Sequence, residues 1–74
     1  MKSMKCRNLG GACEKDFHGD TFDEIARQSQ LHGKAMLEAL DEPHLLAMES
    51  MKELMQNGGM GDWLSARKAE FDAL

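Results

Sequence analysis

Two cysteines near the start of the chain, Cys6 and Cys13, lie on either side of a pair of consecutive glycines. Glycine adopts positive φ angles at no steric cost, and Asn8 tolerates them, so the segment between the cysteines has the chemistry of a tight turn. We therefore predict two short strands, about residues 3–7 and 12–18, that are joined by a hairpin loop.

The register of that hairpin decides whether the two sulfurs meet. If Arg7 pairs with Ala12, Cys6 lies opposite Cys13, and directly opposed residues have Cβ atoms ~4.5–5.5 Å apart on the same side of the sheet. This separation suits two thiolates that share a metal ion, and it is slightly long for a relaxed disulfide, in which the Cβ atoms are about 3.8 Å apart. A slip of one residue would put the sulfurs on opposite faces.

Helical patterns follow the predicted hairpin. Thr21 and Glu24 fit a capping box, after which apolar residues and His32 recur at the spacing of one helical face. Pro43 marks the start of a second helix because proline is tolerated in a first helical turn, and Asp62 can cap a third. We predict helices over residues 22–40, 42–57 and 62–73.

Together these elements predict one α+β, mainly helical domain that spans residues 1–74, in which a β-hairpin is followed by three α-helices. The chain has 74 residues. At this size a single core rarely supplies more than roughly 3–5 kcal/mol of net stability, so small folds often add a metal ion, a disulfide or a partner subunit.

The histidines differ in how close we expect them to lie to the cysteines. Side chains alternate along a strand, so His18 points away from the face that Cys13 occupies. His32 lies on the helix face that should pack against the hairpin, and His44 lies in the first turn of the second helix. We predict Cys6, Cys13 and His32 as metal ligands, with His44 or His18 as a fourth.

Zinc favours tetrahedral sets of thiolate and imidazole ligands, so the first interpretation is a zinc-binding module with a structural role. The gap between Cys6 and Cys13 matches no standard zinc finger, however, and free cysteine is among the most buried residue types. The alternative is a non-enzymatic interaction or oligomerisation protein whose cysteines are core or redox-sensitive packing residues. A thiol-redox pair is a third interpretation.

Methionine is abundant, with seven in the chain. Several methionines lie on what we call the Met-rich face, one side of the second predicted helix. Such a face is typical of a core or of an adaptable binding surface, so we expect a homo-oligomer or a protein partner to use it. Copper(I) also binds thioethers, but no run of closely repeated methionines is present. The Met-rich face comprises Leu45, Met48, Met51, Leu54 and Met55.

Charge and motifs disfavour several classes of function. The net charge is −4, which is a poor match for nucleic acid. No apolar run approaches the ~20 residues of a membrane span, and no signal peptide is recognisable, so we expect a cytoplasmic protein. No phosphate-binding loop, calcium loop or nucleophile motif is present, so we expect no enzyme. Glu38, Asp41 and Glu42 are interpreted as a solvated helix end.

The N-terminal half resembles a small prokaryotic family catalogued as domain of unknown function 1059. The resemblance covers roughly residues 3–40, and the segment from His44 to Leu74 resembles a helical extension that a subset of the family carries. The family has no established activity, so the resemblance implies a relationship to these proteins but does not imply an activity. It rests on Cys6, Arg7, Leu9, Gly10 and Cys13, on Gly19-Asp20-Thr21 at a helix start, and on His32-Gly33 within that helix.

One departure from the family bears on the metal site. Family members often carry a second histidine four or five residues after the first, where this chain has Met36 and Leu37. The resemblance therefore implies that a fourth ligand, if there is one, comes from His18, His44, water or a partner chain.

Overall fold

A computed structural model describes all residues of the chain, 1–74, and confirms the predicted fold class. An antiparallel two-stranded hairpin is followed by three α-helices. In chain order the elements are β1 (Lys2–Lys5), a 3₁₀ turn (Cys6–Leu9), β2 (Asp16–Gly19), α1 (Phe22–Glu38), α2 (Glu42–Gln56) and α3 (Met60–Asp72).

The register of the hairpin differs from the prediction. Lys2 pairs with Gly19 and Lys5 pairs with Asp16, and the ladder ends there. Cys6 is therefore not paired with Cys13 across the sheet, and both predicted strands extend too far toward the turn. The segment after Lys5 contains no β-branched or aromatic residue that would favour a strand, so a tight turn forms instead.

That turn is closed by its own hydrogen bonds. Gly10 has φ +87°, and the Gly11 N–H donates to the Cys6 carbonyl at 2.9 Å. The Arg7 N–H donates to the Cys13 carbonyl at 3.0 Å, which holds the return segment against the turn. The two cysteines are thus brought together by the closure of a loop.

The start of α1 follows the sequence signal closely. The Thr21 hydroxyl accepts a hydrogen bond from the Glu24 N–H at 3.2 Å, as a capping box requires. The Glu24 carboxylate reaches back to the Asp20 N–H at 3.0 Å, one residue before the predicted partner. Both bonds satisfy amide groups that would otherwise be free at the helix start.

The end of α1 lies two residues before the predicted end, because Leu40 has φ +55°. The Leu40 N–H donates to the Leu37 carbonyl, and the Asp41 N–H donates to the Met36 carbonyl, each at 3.1 Å. This is the Schellman pattern, which usually has glycine at the left-handed position. At the end of α2, Gly58 has that position with φ +77°.

Replacement of Leu40 by glycine is expected to stabilise the fold. Leu40 is 73% exposed, so little packing is lost, and a left-handed conformation costs a non-glycine residue about 1–2 kcal/mol. The higher entropy of glycine in the unfolded chain offsets part of this gain, which leaves an increase in unfolding free energy of about 0.5–1 kcal/mol. Urea unfolding measures it. Leu40→Ala is the control, since it keeps the Cβ, and equal stability of both variants would contradict the strain.

The core lies between the hairpin, α1 and the end of α3. Phe17 is 1% exposed and Ile25 is 0% exposed, so α1 packs directly on β2. Phe71 of α3 closes the core and contacts Phe22 edge to face, with ring centroids 6.0 Å apart. Five apolar residues are buried in this cluster: Met4, Cys6, Phe17, Ile25 and Phe71.

Two helices bury few of their apolar side chains. On α3 only Phe71 is buried, whereas Leu64 is 44% exposed, and Leu74, which follows the helix, is 63% exposed. α3 also begins at Met60, without a side-chain cap, so Asp62 lies in its first turn instead of before it. The Met-rich face of α2 is half-buried apart from Met55, which is 61% exposed. None of the helices has the length and apolar character needed to cross a bilayer.

Candidate metal centre

Four side chains converge on one point near the turn of the hairpin. Cys6 begins the 3₁₀ turn, Cys13 lies in the loop before β2, His32 is in the middle of α1 and His44 is in the first turn of α2. Their sulfur and ring nitrogen atoms all lie within 4.8 Å of one another, so the cluster could hold a metal ion.

Two sulfur–nitrogen distances within the cluster match the edges of a tetrahedral zinc site. The Cys13 Sγ lies 3.3 Å from His32 Nε2, and the Cys6 Sγ lies 3.6 Å from His44 Nε2. With Zn–S near 2.3 Å and Zn–N near 2.0–2.1 Å, a tetrahedral zinc site has sulfur–nitrogen edges of about 3.5 Å. The two cysteine–histidine pairs therefore already have the spacing of ligands around one ion.

An aspartate orients one of the histidines. His44 Nδ1 lies 2.5 Å from Asp41 Oδ2, and the same oxygen accepts the His44 backbone N–H at 3.2 Å. Because an ionised carboxylate only accepts hydrogen bonds, Nδ1 carries the proton, and in the neutral form of the ring Nε2 then presents its lone pair to the cluster. This hydrogen bond raises the pKa of His44 and lowers the pKa of Asp41. Metal-binding histidines commonly have such a carboxylate partner.

The second histidine is held by aromatic contacts. The His32 ring packs edge to face with Phe17, with centroids 5.7 Å apart, and with the His44 ring, with centroids 5.2 Å apart. Partial burial lowers the pKa of His32. A lowered pKa favours the neutral imidazole, which is the form that binds a metal.

The two thiols lie in different environments. Cys6 is 3% exposed, and burial raises the pKa of its thiol. Cys13 is half-buried, and the backbone N–H of Lys15, which hydrogen-bonds to its sulfur, lowers the pKa of its thiol. The backbone amides of Ala12 and Cys13 offset part of this increase in the pKa of Cys6. Such amide donors stabilise the thiolate form that a metal ion requires.

Because Gly11 has no side chain, the Cys6 sulfur can lie directly beside its backbone. A Cβ built at Gly11 would overlap the Cys6 Sγ and would lie 3.0 Å from the Cys6 carbonyl oxygen. The backbone of the loop therefore approaches the thiol more closely than any other residue would allow. The second glycine of the pair thus has a role at the site in addition to its role in the turn.

Gly11→Ala is expected to displace the Cys6 thiol and to weaken both the fold and metal binding. Overpacking of a tight site costs about 1–3 kcal/mol, so the free energy of unfolding should fall by that amount. Gly61→Ala is the matched control, because a Cβ there meets nothing within 4 Å and lies in α3. Urea unfolding of both variants measures the difference, and equal stabilities would show that the loop relaxes freely.

The sequence predicted which residues lie in this cluster, but it did not predict how the fold brings them together. Cys6, Cys13 and His32 come together, and His44, which was held as a possible fourth ligand, completes the set. His18 is exposed, and its backbone bonds to the Gln28 side chain, so it lies outside the cluster. Whether these side chains bind a metal stays a prediction.

Asp41 is the residue that sequence analysis missed. The sequence pattern around Asp41 indicates a solvated helix end, whereas its carboxylate caps α2 and also orients His44. A signal was available, because an aspartate at the N-cap and a histidine three residues later are neighbours on the first helical turn. Asp41 Oδ2 therefore both caps α2 and holds the His44 ring in place.

Asp41→Asn is expected to lower metal affinity 10- to 100-fold, which is the usual effect of losing an outer-shell partner of a ligand. Asparagine caps helices as well as aspartate does, so the stability of the metal-free protein should change little. Competition with a chromophoric chelator measures the affinity. Asp62→Asn, in the first turn of α3, is the control. If the two variants bind metal equally, Asp41 has no role beyond the cap.

A cavity of about 250 Å³ borders the cluster on the side of α2. Cys6, His32 and His44 form one wall, and methionines of the Met-rich face form another, among them Met48 and Met51. The centre is therefore covered by the hairpin turn on one side and by thioether side chains on the other.

No protein-family model, curated protein or solved structure matches the chain. The resemblance to domain of unknown function 1059 therefore stays a prediction that rests on the motif between Cys6 and Cys13.

Proposed function

We propose that Cys6, Cys13, His32 and His44 bind one zinc ion and that the ion has a structural role. The observation that supports this proposal is the convergence of two sulfurs and two ring nitrogens within 4.8 Å, from four separate segments of a short chain. Hydrogen bonding of His44 to Asp41 supports it further, because the bond selects the tautomer whose Nε2 can bind the ion.

The donor atoms favour zinc over other common ions. Calcium and magnesium prefer oxygen ligands, and none of the four side chains offers oxygen. Tetrahedral sets of two sulfurs and two nitrogens are typical of zinc or of iron–sulfur chemistry. Imidazole and thiolate together match the borderline softness of Zn²⁺, and the sulfur–nitrogen distances of 3.3 and 3.6 Å match its size.

A structural role follows from the number of ligands and from the size of the core. Four protein ligands fill a tetrahedron, whereas catalytic zinc keeps one position open for water or substrate. Only five apolar residues are buried in the core cluster, so a bond network that ties the hairpin turn to α1 and α2 would add much of the stability. We therefore propose a binding module that is not an enzyme.

Metal analysis of the untagged protein tests the proposal directly. We expect one zinc per chain after purification without chelator. Substitution by Co²⁺ should give the absorption bands of tetrahedral cobalt with sulfur-to-metal charge transfer. A zinc content near zero, together with the absence of these bands after cobalt titration of the reduced protein, would refute metal binding.

A second candidate function is self-association through the helices. A cleft of about 350 Å³ lies between α1, α2 and α3, and it is lined mostly by apolar side chains. Met55 and Leu64 on its rim are 61% and 44% exposed. A second copy of this chain would cover a surface that the small core leaves open. Residues that line this helical cleft include Phe22, Met51, Met55, Met60, Trp63 and Leu64.

Sedimentation analysis over a range of concentrations tests the second candidate. We expect a dimer that Met55→Glu dissociates, because a buried unpaired carboxylate would oppose the interface. Leu37→Glu is the control, since Leu37 is 51% exposed and does not line the cleft. A protein that is monomeric at all concentrations would refute self-association and would leave the zinc proposal unaffected.

A further inference from the structure

The two thiols of the cluster differ in how easily a solute can reach them. Cys13 is half-buried and borders an open surface depression of about 240 Å³ together with Arg7, Ala12 and Glu14. Cys6 borders the cavity next to α2, but its own side chain is only 3% exposed. The Gly11 backbone also lies directly against the Cys6 sulfur.

The same two thiols are close enough to react with each other. Both are free cysteines, and their sulfurs lie within 4.8 Å of one another. A disulfide requires the sulfurs to approach to about 2.05 Å. The loop between them contains two glycines, and glycine can adopt a wider range of backbone angles as the sulfurs approach.

We propose that Cys13 is a site of oxidation by peroxide and that Cys6 resolves the oxidised Cys13 into an intramolecular disulfide, which expels the metal ion. The Cys13 sulfur reacts first because susceptibility to oxidation increases with exposure, and the buried Cys6 sulfur lies close enough to react with it next. The metal-release step rests on the proposed function, whereas the thiol chemistry does not.

The reaction proceeds in two displacements. The Cys13 thiolate attacks one oxygen of hydrogen peroxide, a sulfur–oxygen bond forms, the oxygen–oxygen bond breaks, and hydroxide leaves. Cys13 is then a sulfenic acid, oxidised by two electrons, and the peroxide is reduced by two. The Cys6 thiolate next attacks the Cys13 sulfur, so that the disulfide forms and a second hydroxide leaves. In sum, two thiolates, one peroxide and two protons give one disulfide and two waters.

Loss of the metal follows from the chemistry of the ligands. Thiolates bind zinc through their negative charge, and a disulfide has none. After oxidation only His32 and His44 remain as ligands, which is too few for a structural site. Peroxide would thus cause the cluster to release zinc. Loss of the ion would in turn weaken the contacts between the hairpin turn and the helices.

Peroxide treatment of the zinc-loaded protein tests the proposal. We expect a mass decrease of two hydrogens, a Cys6–Cys13 disulfide in the peptide map, and one zinc released to a chromophoric chelator. In Cys6→Ser, dimedone should label Cys13. In Cys13→Ser, dimedone should label Cys6 at least about tenfold more slowly, because Cys6 is buried.

Three results would overturn the proposal. One is equal labelling of the two cysteines in the two variants. Another is retention of free thiols in the wild-type protein after peroxide treatment. The third is a disulfide that forms while zinc stays bound. If a variant fails to fold, a short dimedone pulse on the wild-type protein keeps the order of oxidation measurable. If untreated protein holds no zinc, the proposed function fails, but the thiol reaction remains testable on the metal-free chain.

Discussion

If the cluster binds zinc as proposed, its removal with EDTA is expected to lower the midpoint of thermal unfolding by more than about 15 °C. A ligand that is present at about 1,000 times its dissociation constant stabilises the folded state by about 4 kcal/mol. In a domain of this size each kcal/mol corresponds to about 4–8 °C in the midpoint. Structural zinc sites often have much larger apparent binding free energies, so the metal-free chain is expected to be largely unfolded or loosely packed.

Circular dichroism during a thermal scan measures this effect. The control for the presence of the chelator is protein to which EDTA has been added after the EDTA was saturated with zinc. Return of excess zinc to the metal-free sample, under reducing conditions, should restore the original midpoint. An unchanged midpoint after metal removal would show that the cysteines and histidines are packing residues, which is the alternative interpretation of the cluster.

The helices were predictable because their signals are local. A capping box and a proline in a first turn each act within a few residues, so their effect does not depend on the rest of the fold. Predicted helix boundaries were off by one or two residues at most ends. The early end of α1 reflects Leu40, whose left-handed conformation cannot be anticipated for a leucine from sequence.

The residues of the cluster were predicted from the sequence, but the structure that brings the two cysteines together was predicted wrongly. Opposed strand positions were expected to bring Cys6 and Cys13 together, whereas the hairpin ladder ends at Lys5. Loop closure does so instead, through the hydrogen bond between the Arg7 N–H and the Cys13 carbonyl. The phase of α1 was sufficient to place His32, because a buried helix face has one direction relative to the sheet it covers.

His44 could not be placed from sequence because its position depends on the connection between two helices. The Schellman turn at the end of α1 reverses the chain at Leu40, and Asp41 then caps the start of α2. That reversal brings the first turn of α2 beside the middle of α1, where the His32 and His44 rings meet with centroids 5.2 Å apart. A strained backbone position next to a site is often kept because it positions the site.

His44→Ala is the single substitution expected to have the largest effect on the centre. His44 is 5% exposed, contributes Nε2 to the cluster and is the partner of the Asp41 carboxylate. Its loss removes one of four proposed ligands, and zinc affinity should fall by more than the roughly 100-fold that loss of an outer-shell partner can cause. Stability in the presence of zinc should fall to a value near that of the metal-free chain.

His18→Ala is the matched control, because His18 is exposed and lies outside the cluster. It should bind zinc and unfold as the wild-type protein does. Thermal scans of both variants, with and without EDTA, separate the two interpretations of His44. If His44 binds the ion, EDTA should have almost no further effect on His44→Ala. If His44 only packs, the variant should be less stable but should still lose as much stability on metal removal as the wild-type protein, and the four-ligand site would then be wrong.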